Sequence, residues 1–309
     1  MPLQLKYRPS DFTEMIGNKA ILTSLESIFA REFDFPHAWL FYGPKGCGKT
    51  TLARIVAHKL KCSVDDLYEY NMANLKGIDT VRDILENAVY APISSPVKFY
   101  ILDEVHEQIK GAQDALLKIL EEPPQHVYFA LCTTNPEKLQ GAVRSRCMPF
   151  LVKTLLSTEM KMLLDGVLTR EGLPDYPIAV IREIIRIAEG IPRDALVALD
   201  SVIDIQNEEM AIQVLQNISI GEADLADICK ELMDGTTWEA IRKRVSTLAS
   251  NINDAEKIRR GAMGWFSKVL LNSKTNDRVS MILQIMEDNT YDGGIPKLIN
   301  MFYMATKIR

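Results

Sequence analysis

The segment GPKGCGKT, Gly43 to Thr50, constrains this chain more than any other stretch. Its spacing is GxxxxGK[ST]. The apolar run HAWLFY before it reads as a buried strand, and TTLARIVAHKL after it carries apolar residues at helical spacing. A strand, a glycine-rich turn and a helix N-terminus make a concave nest of backbone N–H groups, and the helix dipole adds to its positive potential. Such a nest takes a polyphosphate. Gly43, Pro44, Lys45, Gly46, Cys47, Gly48, Lys49, Thr50 and Thr51 are the expected cradle. Lys49 is expected to reach the terminal phosphates, and the Thr50 hydroxyl to ligate magnesium. The loop implies a nucleoside triphosphate and leaves open what its energy drives.

Strand patterns recur at HAWLFY, LYEYNM, VKFYILDE, VYFALCTT and MPFLV, with helical patterns between them. Five such strands joined by helices predict an α/β fold, a parallel five-stranded sheet with helices on both faces. The nucleotide is then expected at the carboxyl ends of the strands. Beyond Leu156 the pattern is helical throughout, broken at Gly172, Pro174, Gly190, Pro192, Gly221 and Gly235. Three domains are expected: an α/β module at 1–156, a small helical domain at 157–206 and a helical C-terminal domain at 207–309.

Composition narrows the setting. Hydrophobic residues at 47% and charged residues at 25% are ordinary for a soluble globular protein, and no apolar run approaches the roughly 20 residues of a membrane span. The start MPLQLKYRPS does not read as a signal peptide, so no membrane partner and a cytoplasmic setting are expected. Five scattered cysteines without a CxxC pair argue for a reducing compartment, with neither structural zinc nor a disulfide framework. A net charge of −5 argues against a general electrostatic grip on nucleic acid, so any DNA contact needs a local basic surface.

Residues elsewhere complete a candidate site. VKFYILDEVH is an apolar strand ending in Asp103 and Glu104. Behind a phosphate loop, such a pair serves to hold magnesium (Asp103, through water) and to orient and activate an attacking water (Glu104). The other reading is an acidic strand end capped by solvent. VYFALCTT ends in Thr133, Thr134 and Asn135, where Thr134, or next Asn135, would sense the γ-phosphate; a threonine there also forms turns. Arg146, in AVRSRCMPF, ends a predicted helix, where an arginine either caps the dipole or reaches a neighbouring subunit's site. Asn71 ends LYEYN beside the Asp103 strand and is either a regulatory partner of Glu104 or a turn former. Arg193, in GIPRDAL, opens a helix where its charge opposes the macrodipole, which favours a role toward the phosphates.

These motifs in this order resemble the AAA+ ATPases, and within them the sliding-clamp loader subunits. LKYRPSDFTEMIGNKAI is similar to the segment that lines the adenine pocket in that family, which implicates Tyr7, Arg8, Pro9, Ile16 and Gly17. GIDTVRDI, DEVH, ALLKILEEPPQHV, TTNPEKL and SRC resemble the bacterial tau/gamma subunit and replication factor C small subunits. The resemblance is dense from Leu5 to Phe150 and extends to about Asp200. It implies an ATPase using ATP and magnesium, with residues 157–206 as a lid and 207–309 as an oligomerising collar. Several copies, with at least one different subunit, would form a spiral of five around primer–template DNA. ATP binding would hold a ring-shaped sliding clamp open. DNA would then align Arg146 with the next subunit's nucleotide, and hydrolysis would release the clamp.

Under that resemblance, Lys76, Gly77, Ile78 and Arg82 on one helix and Lys110 on another are expected to meet DNA phosphates; singly, each reads as a solvated surface residue. The chain departs from tau/gamma in lacking its cysteine-rich module: AHKLKCSVDDL runs through with Cys62 alone, so no zinc is expected. Nor is the long C-terminal extension of that subunit expected, which suggests a compact subunit of viral or otherwise divergent origin, in a bacterial or virus-infected bacterial cell. Two other readings stand beside loading. A AAA+ DNA motor of helicase or branch-migration type would need pore-loop elements, and no aromatic–hydrophobic–Gly signature is found. A replication scaffold stabilised by ATP would need neither Glu104 nor Arg146.

Overall fold

The computed structural model describes residues 1–31, 35–74, 78–108, 110–251, 255–272, 276–290 and 293–308. The chain divides into two compact units, Met1–Ala211 and Ile212–Arg309.

All five expected strands form: β1 Ala38–Tyr42, β2 Leu67–Asn71, β3 Lys98–Asp103, β4 Val127–Thr133 and β5 Met148–Leu151. They pair in parallel in the order β2-β3-β4-β1-β5. Central strands of a parallel sheet are covered on both faces, which is why β1, β3 and β4 are near-continuous apolar runs. Edge strand β5 tolerates Pro149, where a missing N–H donor costs no ladder bond on the open side.

Helix α1 Leu3–Lys6 comes first in the chain, and α2 Lys19–Phe29, α3 Lys49–Lys59, α4 Ile78–Ala88, α5 Lys110–Glu121 and α6 Gly141–Ser145 surround the sheet. Then come α7 Ser157–Arg170, α8 Ile178–Ala188 and α9 Pro192–Asp200, in the same unit, and α10 Glu208–Met233. The two-residue period of the strands sorts the core. Trp39, Phe41, Phe99, Ile101, Ala130 and Cys132 pack with Leu52, Ile55 and Val56 of α3. Their neighbours Ala38, Leu40, Tyr100, Leu102, Phe129 and Leu131 point the other way, onto Val81 and Ile84 of α4 and Leu116 of α5. Each fully buried large side chain in these layers contributes on the order of 2 kcal/mol.

In the second unit α11 Trp238–Asn251, α12 Ala255–Asn272, α13 Asp277–Ile285 and α14 Gly294–Ala305 close around Ile228, Leu232, Ile241, Phe266 and Phe302. A buried Glu256–Arg259 pair, whose carboxylate also takes the Thr290 N–H and hydroxyl, is satisfied on both sides.

The topology places the site. From β1 the chain crosses to the far edge at β2, whereas from β4 it leaves in the opposite direction to β5. Adjacent strands whose connections diverge leave a crevice at their carboxyl ends. Tyr42 stands opposite Thr133 at that end, and the Gly43 N–H donates to Thr133 O at 3.2 Å.

Candidate functional site

The loop after β1 turns through three glycines with positive φ: Gly43 (140°), Gly46 (79°) and Gly48 (99°). Gly46 shows why no side chain serves there. A Cβ would come within 2.6 Å of Ile191 Cγ2 and 3.2 Å of Arg193 Cβ. The loop thus closes against the start of α9, where the Arg193 N–H donates to Gly46 O at 3.4 Å. Lys49, only 5% exposed, donates from Nζ to Gly43 O (3.0 Å) and Pro44 O (2.9 Å), so the ammonium lies within the curl of the loop. Pro44 and Lys45 are exposed at its tip.

The acidic end of β3 meets this loop directly. The Thr50 hydroxyl donates to Asp103 Oδ2 at 2.8 Å, and Asp103 Oδ1 takes the Glu104 N–H at 2.9 Å. A hydroxyl beside a carboxylate is a hard-oxygen pair of the type magnesium selects, and Thr50 with Asp103 would hold it. Glu104 has φ 51°, a left-handed conformation uncommon outside glycine, and it turns the chain sharply off the strand. Its carboxylate accepts the Thr134 hydroxyl at 3.3 Å, joining the ends of β3 and β4.

A cavity of about 370 Å³ continues from the loop. Tyr7, Arg8, Pro9, Ile16, Gly46, Cys47, Gly48, Thr51 and Arg193, all expected at the nucleotide, are among its lining residues. Tyr7 is held by Glu171 and lies under the Arg170 guanidinium at 4.6 Å. Arg8 has its pKa lowered, first by burial and then by the neighbouring charge of Arg54; Glu69, which pairs with Arg54, opposes the shift and Arg193 adds to it. This concentration of positive charge suits an anionic ligand. Burial raises the pKa of the Cys47 thiol, which leaves it a small apolar group in the wall.

Gly17 does not line the cavity. Its φ is 73°, and a Cβ would sit 2.4 Å from Leu155 Cδ2, so its bareness lets Leu155 into the wall. Leu155, Leu163 and Leu196, from after the sheet, and Gln4, Leu5 and Met15, from the N-terminal segment, escaped sequence reasoning. Their apolar spacing looks like ordinary helix core, and only the docking of α7 and α9 on the loop reveals them. His106 was missed as well, although it stands in the acidic motif; it is buried beside Glu104.

Three expected residues are placed apart from this constellation. Asn71 stands opposite Asp103 in the β2–β3 register, but its side-chain oxygen takes the Ala73 N–H at 3.1 Å. Glu104 meets Thr134 and His106 instead. Asn135 uses its N–H to cap Thr133 Oγ1 and points its amide toward His106. Arg146 caps the end of α6 and is not among the lining residues of its own chain's cavity. Its Nη1 donates to Ala142 O at 2.7 Å, and its Nη2 pairs with Glu121. Of the residues expected at DNA, Arg82 is exposed on α4, which packs beside α5. Lys76 and Gly77 lie outside the described residues, as do the side chains of Ile78 and Lys110.

Among the described residues, no group of three His, Cys, Asp or Glu side chains is placed to hold a metal, and no helix is long and apolar enough to cross a membrane.

A phosphate loop on the strand next to β4, an acidic β3 end and a helical segment closing over the loop define the AAA+ fold. Solved structures share it: RuvB, the Holliday junction branch migration motor of Thermotoga maritima, superposes with a TM-score of 0.58 at 19% identity, over 79% of this chain and 84% of that one. At that identity the likeness concerns the fold alone. In sequence the chain is related to the tau/gamma subunits of bacterial DNA polymerase III. It is 32% identical over 278 residues to subunit tau of Escherichia coli strain K12, spanning 77% of this chain and 43% of the relative. It is 29% identical over 308 residues to subunit tau of Bacillus subtilis strain 168, spanning 92% and 54%. The chain thus spans about half the length of these relatives. Residues 66–155 also match the family described as DNA polymerase III, delta subunit, a window that holds Asp103, Glu104, Thr134 and Arg146.

Proposed function

We propose that the chain is the ATPase subunit of a DNA polymerase sliding-clamp loader, acting in several copies with at least one different subunit. One observation carries the reading. Loop, Thr50–Asp103 pair and Glu104–Thr134 pair converge within one chain, while that chain's Arg146 is engaged elsewhere, by Ala142 O and Glu121. A site built so far and no further is suited to completion by a neighbour.

In this reading Lys49 and the loop amides bind the phosphates, and Thr134 and Arg193 sense the terminal one. Thr50 and Asp103 hold magnesium, which when bound neutralises phosphate charge. Glu104 takes a proton from the attacking water, and Arg146 of the adjacent copy stabilises charge in the transition state. Residues 157–206 act as the lid and 207–309 as the collar. Exposed Val64, Val89, Tyr90 and Ile93 lie toward the amino ends of β2 and β3, away from the nucleotide, and we assign them to the ring-shaped clamp. Arg82, with Lys76, Gly77, Ile78 and Lys110, faces primer–template DNA.

The test is ATP turnover with the partner subunit, the clamp and DNA. Stimulation that needs both clamp and a primer–template junction supports loading. Stimulation by four-way junctions, with strand movement, supports a motor instead. Arg146→Ala should abolish stimulated turnover while ATP still binds, whereas Lys49→Ala should weaken binding in its own chain. Turnover surviving in Arg146→Ala overturns the assignment in trans.

A further inference from the structure

His106 follows Glu104 by two residues in the single turn Val105–Glu107, and its side chain is 4% exposed. Its two ring nitrogens have different partners. Nε2 lies 3.0 Å from Glu107 Oε1, which can only accept, and 3.5 Å from the Asn135 amide nitrogen; the shorter contact assigns the ring proton to Nε2. In the neutral ring Nδ1 is then a bare acceptor, and the Thr133 hydroxyl at 2.9 Å donates to it. The same hydroxyl oxygen takes the Asn135 N–H at 3.0 Å, which closes a chain from the exposed Glu107 through the buried His106 and Thr133 to the end of β4. Glu104 Oε2 also stands near Nδ1, at 3.4 Å, but no proton lies between them. Two lone pairs face each other there, and the donor left to the carboxylate is the Thr134 hydroxyl.

We propose that His106 is a positioning residue for Glu104: locked between Glu107 and Thr133, its imidazole withholds a hydrogen bond from the carboxylate and turns it toward Thr134 and the crevice. The inference rests on the reading of Glu104 as the group that activates water. It gives the end of β4 a direct hold on Glu104, since a shift of Thr133 moves the ring that the carboxylate avoids.

A second proton on the ring reverses the contact. An imidazolium donates from Nδ1, binds Glu104 and withdraws it from water. Burial is the main cause that lowers the His106 pKa; Glu104 and Glu107 oppose the shift, and Lys138 and Lys49 reinforce it. The neutral, permissive ring therefore prevails at neutral pH, and the ion pair forms on acidification.

The test uses the full chain. Turnover from pH 5 to 8.5 is measured beside the affinity for a fluorescent ATP analogue, for wild type, His106→Ala, His106→Asn and Glu104→Gln. His106→Ala should lower kcat about tenfold at pH 7.5, with ATP affinity within about twofold of wild type. His106→Asn, which keeps an amide near the Nδ1 position, should recover most of kcat and lose the acidic limb set by the ring. Two results overturn the proposal: affinity falling in step with kcat in both variants, or the acidic limb persisting unmoved in His106→Asn. Should His106→Ala not fold, the asparagine variant carries the test. Glu104→Gln with undiminished turnover would instead refute the reading of Glu104 itself.

Discussion

Arg146 and Glu121 form an ion pair within one chain, joining the end of α6 to the last residue of α5. The Arg146 side chain is 29% exposed and that of Glu121 49%, so solvent screens the pair and its worth is about 0–1 kcal/mol. A bond that weak is easily exchanged for a phosphate in an adjacent subunit. Glu121→Gln should raise stimulated turnover about two- to threefold by freeing the arginine, and change stability by less than about 1 kcal/mol. Steady-state turnover in the assembled complex checks this; an unchanged or lower rate refutes it.

Gly46 is where the phosphate loop and α9 approach most closely. In Gly46→Ala the residue must hold a φ of 79°, and its Cβ meets Ile191 at 2.6 Å. The left-handed backbone alone costs about 1–2 kcal/mol, and displacing Ile191 shifts Arg193 with it. ATP affinity, followed by fluorescence titration, should fall about tenfold or more, with a loss of about 1–3 kcal/mol in urea denaturation.

Asp66 is fully buried before β2 and accepts the N–H groups of Ile93, Ser94 and Ser95 and the hydroxyls of Ser63 and Ser95. Burial opposes its ionisation, but these donors outweigh it and hold the pKa well below the usual carboxylate range. The folded state therefore binds fewer protons than the unfolded one. The resulting stability is present above the unfolded pKa of about 3.9 and is lost as pH falls toward the folded value. Urea midpoints of the wild type should decline from about pH 5 downward. Asp66→Asn should lose about 2–4 kcal/mol at pH 7 and show a shallower decline.

The same carboxylate holds the segment that presents Ile93, which is 74% exposed near Tyr90 at 68%. If this edge meets the clamp, Ile93→Asp should weaken clamp binding about tenfold or more and leave basal ATP turnover within about twofold. Surface-immobilised clamp gives the first measurement and a clamp-free assay the second. Equal clamp affinity in variant and wild type would remove Ile93 from the interface.

Much of the molecule was legible from local pattern. The five apolar runs form strands, and residues of Gly43–Thr50 and the Tyr7–Ile16 stretch gather around one crevice, because a buried parallel strand and a phosphate nest demand particular residues at adjacent positions. Asn71 shows the limit of that method. Its strand position was foreseen, but the direction of its amide was decided by the Ala73 N–H, a local competitor no spacing rule weighs.

The sequence by itself determined the chemistry on offer: a nest for phosphate, a hydroxyl and carboxylate for a hard cation, and a second carboxylate beside them. Those groups lie on short segments whose local geometry follows from residue type. Tertiary structure alone decided which distant residues share the space. Leu155, Leu163 and Leu196 became a cavity wall when α7 and α9 packed on the loop, Arg146 was paired with Glu121, and His106 was set against Thr133. Such contacts join residues far apart in the chain, and long-range packing, which fixes them, leaves no period in the sequence.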